Sequence, residues 1–481
     1  MIKMAVLDQN VECFRYFEEL AAIPHGSHNE QAASDWVVRF AKERGLEVYQ
    51  EPCGNVIIKV DATPGYENVP AVMLSCHLDM VCEKDPESSH DFLRDPLDLY
   101  VEDGWLKARG TTLGADDGCG VAMILAVLDK PEQRHPRLEC VFTTTEETGM
   151  FGAQELDITR LEARRMICLD ATGEKVVLTT CAGGCRVKVR KLVHRCDTRG
   201  SGLRLAIRGL QGGHSGLFMT AGRGNAIKLL GRFLQALDNK GIAYQLVSVN
   251  GGSKDNAIPG YAQAELLCGQ TAEAKAALEA AYWQLREELM PIETEWSISV
   301  EEAELAAPVA DSEKEALVQL LRLLPDGVSV MSRRLQELPQ TSNNLGVLTT
   351  TEDAVEFSIS VRSAGQTEME ELTERIVLLG KLCGAEVEIA GTYPGMPYLP
   401  DSPFRQQYAR IMTEVWKTEP HYLAIHAGSE VGYFVKRMPD LEVVTLGPMM
   451  EDVHSPKERL DIASFEKCTA FLMDVLERLD R

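Results

Sequence analysis

Val72-Met73-Leu74-Ser75-Cys76-His77-Leu78-Asp79 is the stretch on which the fold turns. Apolar and small residues run from Val72 to Cys76 without the alternation of a half-exposed strand, and His77 and Asp79 follow. A short run of this kind is the pattern of a strand buried on both faces of a sheet. Leu138 to Thr143 and Met166 to Leu169 repeat the texture, and Asn55 to Val60 adds a further strand signal. Helical patterns alternate with them: Asp8 to Arg44 reads as two helices broken at Pro24-His25-Gly26-Ser27. Strands alternating with helices predict an α/β layer fold for this part of the chain.

The texture changes near residue 185. Gly202 to Arg208 reads as a strand, and Gly224 to Asn239 as a helix with Ile227, Leu230, Phe233, Leu234 and Leu237 on one face. Strands near Tyr244 to Asn250 and Gly260 to Cys268 precede a long helix from Ala272 to Leu289. A similar set follows: a helix from Ser312 to Leu324, strands near Gly346 to Thr350 and Val355 to Arg362, and a helix from Thr367 to Gly380. The last stretch returns to the first texture, with helices Phe404 to Trp416 and Ser464 to Leu479 around a strand at Leu441 to Leu446. The expected organisation is one discontinuous domain, 1–184 with 391–481, interrupted by an inserted domain, 185–390.

Chemistry gathers at the ends of the buried strands. His77 and Asp79 follow the first, Glu146 and Glu147 follow Leu138 to Thr143, and Asp170 follows Met166 to Leu169. His454 stands a short loop beyond Leu441 to Leu446, and Asp116 and Asp117 open a helix carrying Val121, Ile124, Leu125 and Leu128. Sites in open α/β sheets form at the carboxyl ends of strands. Each motif alone is weak, since His-x-Asp arises by chance, Glu-Glu is usually a solvated surface and Asp-Asp-Gly usually a turn. Their common placement carries the argument. Converging Asp116, Glu147 and Asp170 would raise one another's pKa values. Two divalent cations would balance them, and imidazole with carboxylate suits zinc, cobalt or manganese.

Composition excludes other classes. Lys and Arg number 49 and Asp and Glu 73, a formal charge of −24, which argues against nucleic acid and anionic membrane surfaces as partners. No apolar run reaches the roughly 18 residues of a membrane span, and the start of the chain lacks a signal-peptide pattern. The 13 cysteines are odd in number, spread along the chain and mostly inside apolar segments, the pattern of reduced thiols, so a cytoplasmic location is expected. There is no H-E-x-x-H, no G-x-S-x-G and no complete G-x-G-x-x-G.

As an ordered set, Ser-Cys-His77-Leu-Asp79-Met, Leu-Gly-Ala-Asp116-Asp-Gly, Thr-Thr-Glu146-Glu147-Thr-Gly, Cys-Leu-Asp170 and Glu-Asp-Val-His454-Ser-Pro resemble the M20 metallopeptidases, specifically the aminoacyl-histidine dipeptidase group. The resemblance covers essentially the whole chain. It implies a zinc-peptidase-like catalytic domain with a central mixed sheet between helices, interrupted by an α+β lid or dimerisation domain. It further implies two divalent metal ions, a small peptide substrate and a homodimer. Asp116 would bridge the metals, with His77 and Asp170 on one and Glu147 and His454 on the other. Asp79 would orient His77, and Glu146 would be the general base. In the inserted domain, Gly212-Gly-His214-Ser-Gly matches the segment whose histidine stabilises the tetrahedral oxyanion, in many members from the neighbouring subunit. Asn256 and Arg362 look like substrate-holding residues, the guanidinium suiting a terminal carboxylate. Ala427-Gly428-Ser429-Glu430 resembles a substrate-contacting loop in which a leucine is expected at the position of Ser429.

The expected reaction is hydrolysis of dipeptides, Xaa-His and related compounds such as β-alanyl-histidine. Two other readings stand beside it: an N-acyl amino acid amidohydrolase with the same chemistry, and a metal-binding or scaffolding protein without catalysis. Glu146 beside Glu147 speaks against the last, because a binder needs no base.

Overall fold

A computed structural model describes residues 5–479, in two compact units. The first comprises Met1–Thr180, Tyr398–Ala424 and Ser429–Arg481. Its central sheet runs in the order Glu47–Gln50, Val56–Val60, Leu138–Thr143, Val72–His77, Arg165–Cys168, Glu442–Thr445. The last four strands are parallel, and the first two add on antiparallel, which makes the sheet mixed. Val72–His77 and Leu138–Thr143 are buried at every position, because both faces of the sheet carry helices.

One of those helices, Ala115–Leu128, is buried on all sides from Gly118 to Val127. It packs on the Val72–His77 strand and between the helices Glu12–Ala21 and Ile462–Arg478. A helix apolar all round belongs in an interior, and its place under the central strand follows from that. The sequence reading has Asp116 and Asp117 opening this helix. The structure differs: both residues have non-helical φ/ψ, and the peptide bond between them is cis. Regular helix starts after them, and the Asp117 carboxylate caps it by accepting the Gly120 N–H at 3.0 Å. A Cβ at residue 120 would stand 2.5 Å from that carboxylate, so the cap requires glycine there.

The second unit comprises Cys181–Pro397 and Ile425–Gly428. Its sheet is antiparallel, in the order Ser297–Glu302, Ser201–Arg208, Ala262–Cys268, Tyr244–Gly251, Pro339–Thr350, Ala354–Ser363, Gly183–Leu192, Glu386–Tyr393, with Gly327–Met331 paired to Pro339–Thr350. The helix Ala226–Asn239 buries Ile227, Leu230, Phe233, Leu234 and Leu237 and starts at Asn225, whose side chain accepts the Ile227 and Lys228 amides. Helices Thr271–Leu289, Asp311–Leu323 and Gln366–Leu382 complete the same apolar core. A boundary at residue 390 falls inside the strand Glu386–Tyr393. That strand is mostly exposed, so its sequence carries little apolar signal. Gly183–Leu192 is likewise masked, with Val187 and Val189 inward and Arg186 and Lys188 outward.

Ile124 is fully buried in the first unit. Replacing it with alanine removes packed methylenes and is expected to cost about 2–5 kcal/mol, read as a lower denaturation midpoint. Leu93→Ala, at a side chain 69% exposed, is the control and should stay within about 0.5 kcal/mol of the parent.

Candidate metal centre

His77 is the last residue of its strand, so its side chain leaves the sheet at the carboxyl end. Its Nδ1–H donates to the Asp79 backbone carbonyl at 2.9 Å, which turns Nε2 towards Asp116. Nε2 lies 3.0 Å from Asp116 Oδ1. The other oxygen of Asp116, Oδ2, lies 3.2 Å from His454 Nε2, and that nitrogen is 2.9 Å from Glu147 Oε1. Two ligand sets therefore share one carboxylate: His77, Asp116 and Asp170, and Asp116, Glu147 and His454, each with its donor atoms within 4.8 Å of one another.

The turn that carries Glu146 and Glu147 is held from below. Asp79 is 1% exposed, and its carboxylate accepts the amides of Glu146 at 2.9 Å and Glu147 at 3.2 Å, together with the Ser27 hydroxyl at 2.8 Å. Glu30 accepts the Thr145 amide at 2.9 Å, and Asn55 Oδ1 the Thr144 amide at 3.0 Å. Thr145 has φ +53°, and His454 φ +64°, left-handed conformations that non-glycine residues adopt only when their surroundings fix them. The expectation that Asp79 orients His77 gains a detail here. The aligned hydrogen bond is to the carbonyl of Asp79, while its carboxylate stands 3.5 Å from Nδ1 and chiefly organises the turn.

Charge in this cluster is tightly constrained. Burial pushes Asp170 up to about 8, with Asp116 adding to the effect. Burial also raises Glu146 well above the usual carboxylate range; the charge of His77 opposes this, and Asp170 and Glu430 reinforce it. Burial acts to raise Asp116 too, but hydrogen bonds with His454 and His77 outweigh it and hold this group well below its ordinary value. The same contacts, with Asp116 and then Glu147, lift His454 to about 10. For His77 burial acts downward, yet Asp116 and Asp79 raise it well above the usual imidazole. Among the protein groups alone, then, protons must neutralise the site. The donor set fits divalent cations instead: three carboxylates and two imidazoles, with Glu147 Oε1 buried 2.9 Å from His454 Nε2.

Glu430 adds a further carboxyl to the first unit. It is fully buried, takes the Thr143 hydroxyl at 2.7 Å, and is pushed up to about 7 by burial. Sequence reasoning placed it only within the Ala427-Gly428-Ser429-Glu430 loop, and assigned nothing to Glu30 or Glu458, because buried and solvated glutamates look alike in sequence.

In the second unit, His214 pairs with Ala257 across a two-residue ladder, and the Ser215 amide donates to the Asn256 carbonyl at 2.8 Å. Asn344, unmarked in the sequence, fastens this loop by donating to the carbonyls of Asp255 and Ala257 at 2.8 Å each. Arg362 lies opposite Gly184 and Ser342 in the sheet and is 8% exposed. Its Nη1 donates to Tyr393 Oη at 3.2 Å, and its Nε has no protein partner. A Cβ at residue 184 would meet Tyr393 Oη at 2.6 Å, so glycine admits the phenol that reaches Arg362. His426 shares a 2.6 Å hydrogen bond with Ser342 Oγ and is lowered to about 4 by burial and by Arg362. His214 is lowered for the same two reasons. Gly428 belongs to the Ile425–Gly428 segment that also carries His426. Ser429 stands two residues before the helix Val431–Arg437, its hydroxyl accepting the Val431 amide at 3.4 Å.

The chain is similar in sequence and fold to known proteins. The cytosol non-specific dipeptidase of Escherichia coli strain K12 is 35% identical over 470 residues, 96% of each chain. The crystal structure of aminoacylhistidine dipeptidase from Vibrio alginolyticus superposes with a TM-score of 0.92 at 33% identity, covering 100% of this chain and 99% of that one. Aminopeptidase PepT from Bacillus cereus, at 16% identity and a TM-score of 0.57 over 99% and 100% of the chains, shares the fold. Residues 73–478 match the profile of Peptidase family M20/M25/M40, and with the strand-end ligand sets described above the chain belongs to that family.

Proposed function

We propose that this chain is a metal-dependent dipeptidase with a dinuclear site. The observation that carries the reading is the position of Asp116, whose two carboxylate oxygens face the histidines of two different ligand sets. Of the three relatives named above, the two that are more than 30% identical are dipeptidases, one named cytosol non-specific dipeptidase and one aminoacylhistidine dipeptidase. Those names favour a peptide bond over the N-acyl alternative, with Xaa-His compounds such as β-alanyl-histidine among the substrates.

His77, Asp116 and Asp170 would hold one cation and Asp116, Glu147 and His454 the other, with zinc the first choice and cobalt or manganese also suited. When bound, the pair supplies Lewis acidity to the peptide carbonyl and lowers the pKa of water. Glu146, held in its turn by Asp79, takes the proton from the attacking water and returns it to the departing amine. In the second unit Arg362 is the group suited to a terminal carboxylate, its Nε being free of protein partners. His214, with burial favouring its neutral form, and Asn256 and Gly428 are the further substrate contacts of this reading. The same reading places the enzyme in the cytoplasm as a homodimer; among the described residues no helix is long and apolar enough to cross a membrane.

Hydrolysis of a panel of dipeptides, a tripeptide and N-acetyl amino acids by metal-stripped and metal-restored protein tests the proposal. Cleavage confined to dipeptides and dependent on added metal is expected; cleavage of N-acetyl compounds alone would contradict it. Glu146→Gln should keep the metal content and lose about a hundred- to ten-thousandfold in kcat; unchanged turnover would remove Glu146 as the base.

Cation binding should also release protons. His454 near 10, His77 well above its usual value and Asp170 near 8 carry protons at neutral pH in the free cluster. Loading the site at pH 7 is therefore expected to release several protons, and apparent metal affinity should rise with pH through 8 towards 10. Calorimetric titrations in buffers of differing ionisation enthalpy measure both.

A further inference from the structure

Glu458 is 3% exposed, yet no cationic side chain pairs with it among the described residues. Its Oε2 accepts the amides of Leu113 at 2.8 Å and Gly114 at 3.2 Å, and its Oε1 that of Ala115 at 2.8 Å. These are the three successive amides immediately before Asp116. Gly114 has φ +68°, and a Cβ there would stand 2.9 Å from Met80 Sδ, so the turn that points the amides at one carboxylate needs glycine.

Glu458 also lies four residues beyond His454. The two sit in one loop, between the paired strands Met450–Glu451 and Arg459–Asp461, the second of which is fixed to Trp105–Ala108. One short segment thus delivers a histidine to the site and grips the backbone that delivers the shared aspartate. A simple helix-capping role does not account for this contact. Asp116 and Asp117 interrupt the helical backbone after Ala115, and the regular helix beyond them is already capped by Asp117.

We infer that Glu458 is a positioning residue: by holding the amides of residues 113–115 it sets Asp116 against His454, so that the two Asp116 oxygens address both ligand sets at once. This rests on the reading of Asp116 as a shared metal ligand. Binding a carboxylate to three amides takes both of its oxygens. Glutamine offers one acceptor oxygen and turns an NH2 group towards an N–H, while aspartate keeps both oxygens on a shorter stem.

The test uses full-length protein and cobalt(II), following binding against a competing chelator, the visible absorption spectrum of the bound ion, and kcat and KM separately. Wild type should bind two ions. Glu458→Gln should bind at least one of them about 10–100-fold more weakly, with an altered cobalt spectrum. Its kcat should fall while KM stays within about twofold, because Glu458 does not touch substrate. Glu458→Asp should recover part of the affinity and of the wild-type spectrum; should the glutamine variant not fold, the aspartate variant is expected to show the intermediate spectrum and weaker binding by itself. Wild-type affinity and spectrum in every folded variant, even with a lower melting temperature, would reduce Glu458 to a structural residue and overturn the inference. Wild-type protein that binds no divalent ion would instead overturn the metal-centre reading on which it rests.

Discussion

Buried carboxylates that accept successive backbone amides hold the working turns of the first unit. A chain leaving the end of a strand has amides with no ladder partner, and burial makes each of them costly to leave unsatisfied. Asp79 takes the amides of Glu146 and Glu147, Glu30 that of Thr145, and Glu458 those of Leu113, Gly114 and Ala115. A hydrogen bond to a charged group contributes about 1.5–3 kcal/mol, so several on one carboxylate offset much of the cost of burying it. What results is a rigid set of turns in conformations such as the positive φ of Thr145 that the local sequence would not choose.

Other carboxyl groups crowd around the ligand sets. Asp170, Glu146 and Glu430 are all pushed upward, chiefly by burial, with neighbouring acids contributing. A site of this kind favours cations over protons once divalent ions are available, because each cation replaces more than one proton. Glu146, raised in the protein alone, is then a carboxylate whose protonation depends on the charge placed beside it, which is the property a group must have to accept a proton and later surrender it. The family assignment and the geometry therefore converge on one chemistry from independent directions.

The buried strands and the ligand types at their ends were legible because a strand covered on both faces writes a continuous apolar run, after which a polar residue stands out. His77 after Cys76 and Asp170 after Leu169 are cases of this. The strands of the second unit were harder. Gly183–Leu192 alternates valine with arginine and lysine, and Glu386–Tyr393 is largely exposed, so neither has an apolar run. At Asp116 and Asp117 the sequence marked the start of the helix, but periodicity cannot register that regular helical turns begin only after both residues. Glu30, Glu458, Tyr393 and His426 went unassigned for another reason. Their roles come from partners distant in the chain, such as Tyr393 reaching Arg362 across Gly184, and no spacing encodes that.

The most direct test is anomalous diffraction from crystals of the zinc-loaded protein, recorded on both sides of the zinc absorption edge. Two peaks are predicted, about 3.5–4 Å apart, with the Asp116 carboxylate between them, His77 and Asp170 on one and Glu147 and His454 on the other. A single peak, or two peaks that do not share Asp116, would contradict the account.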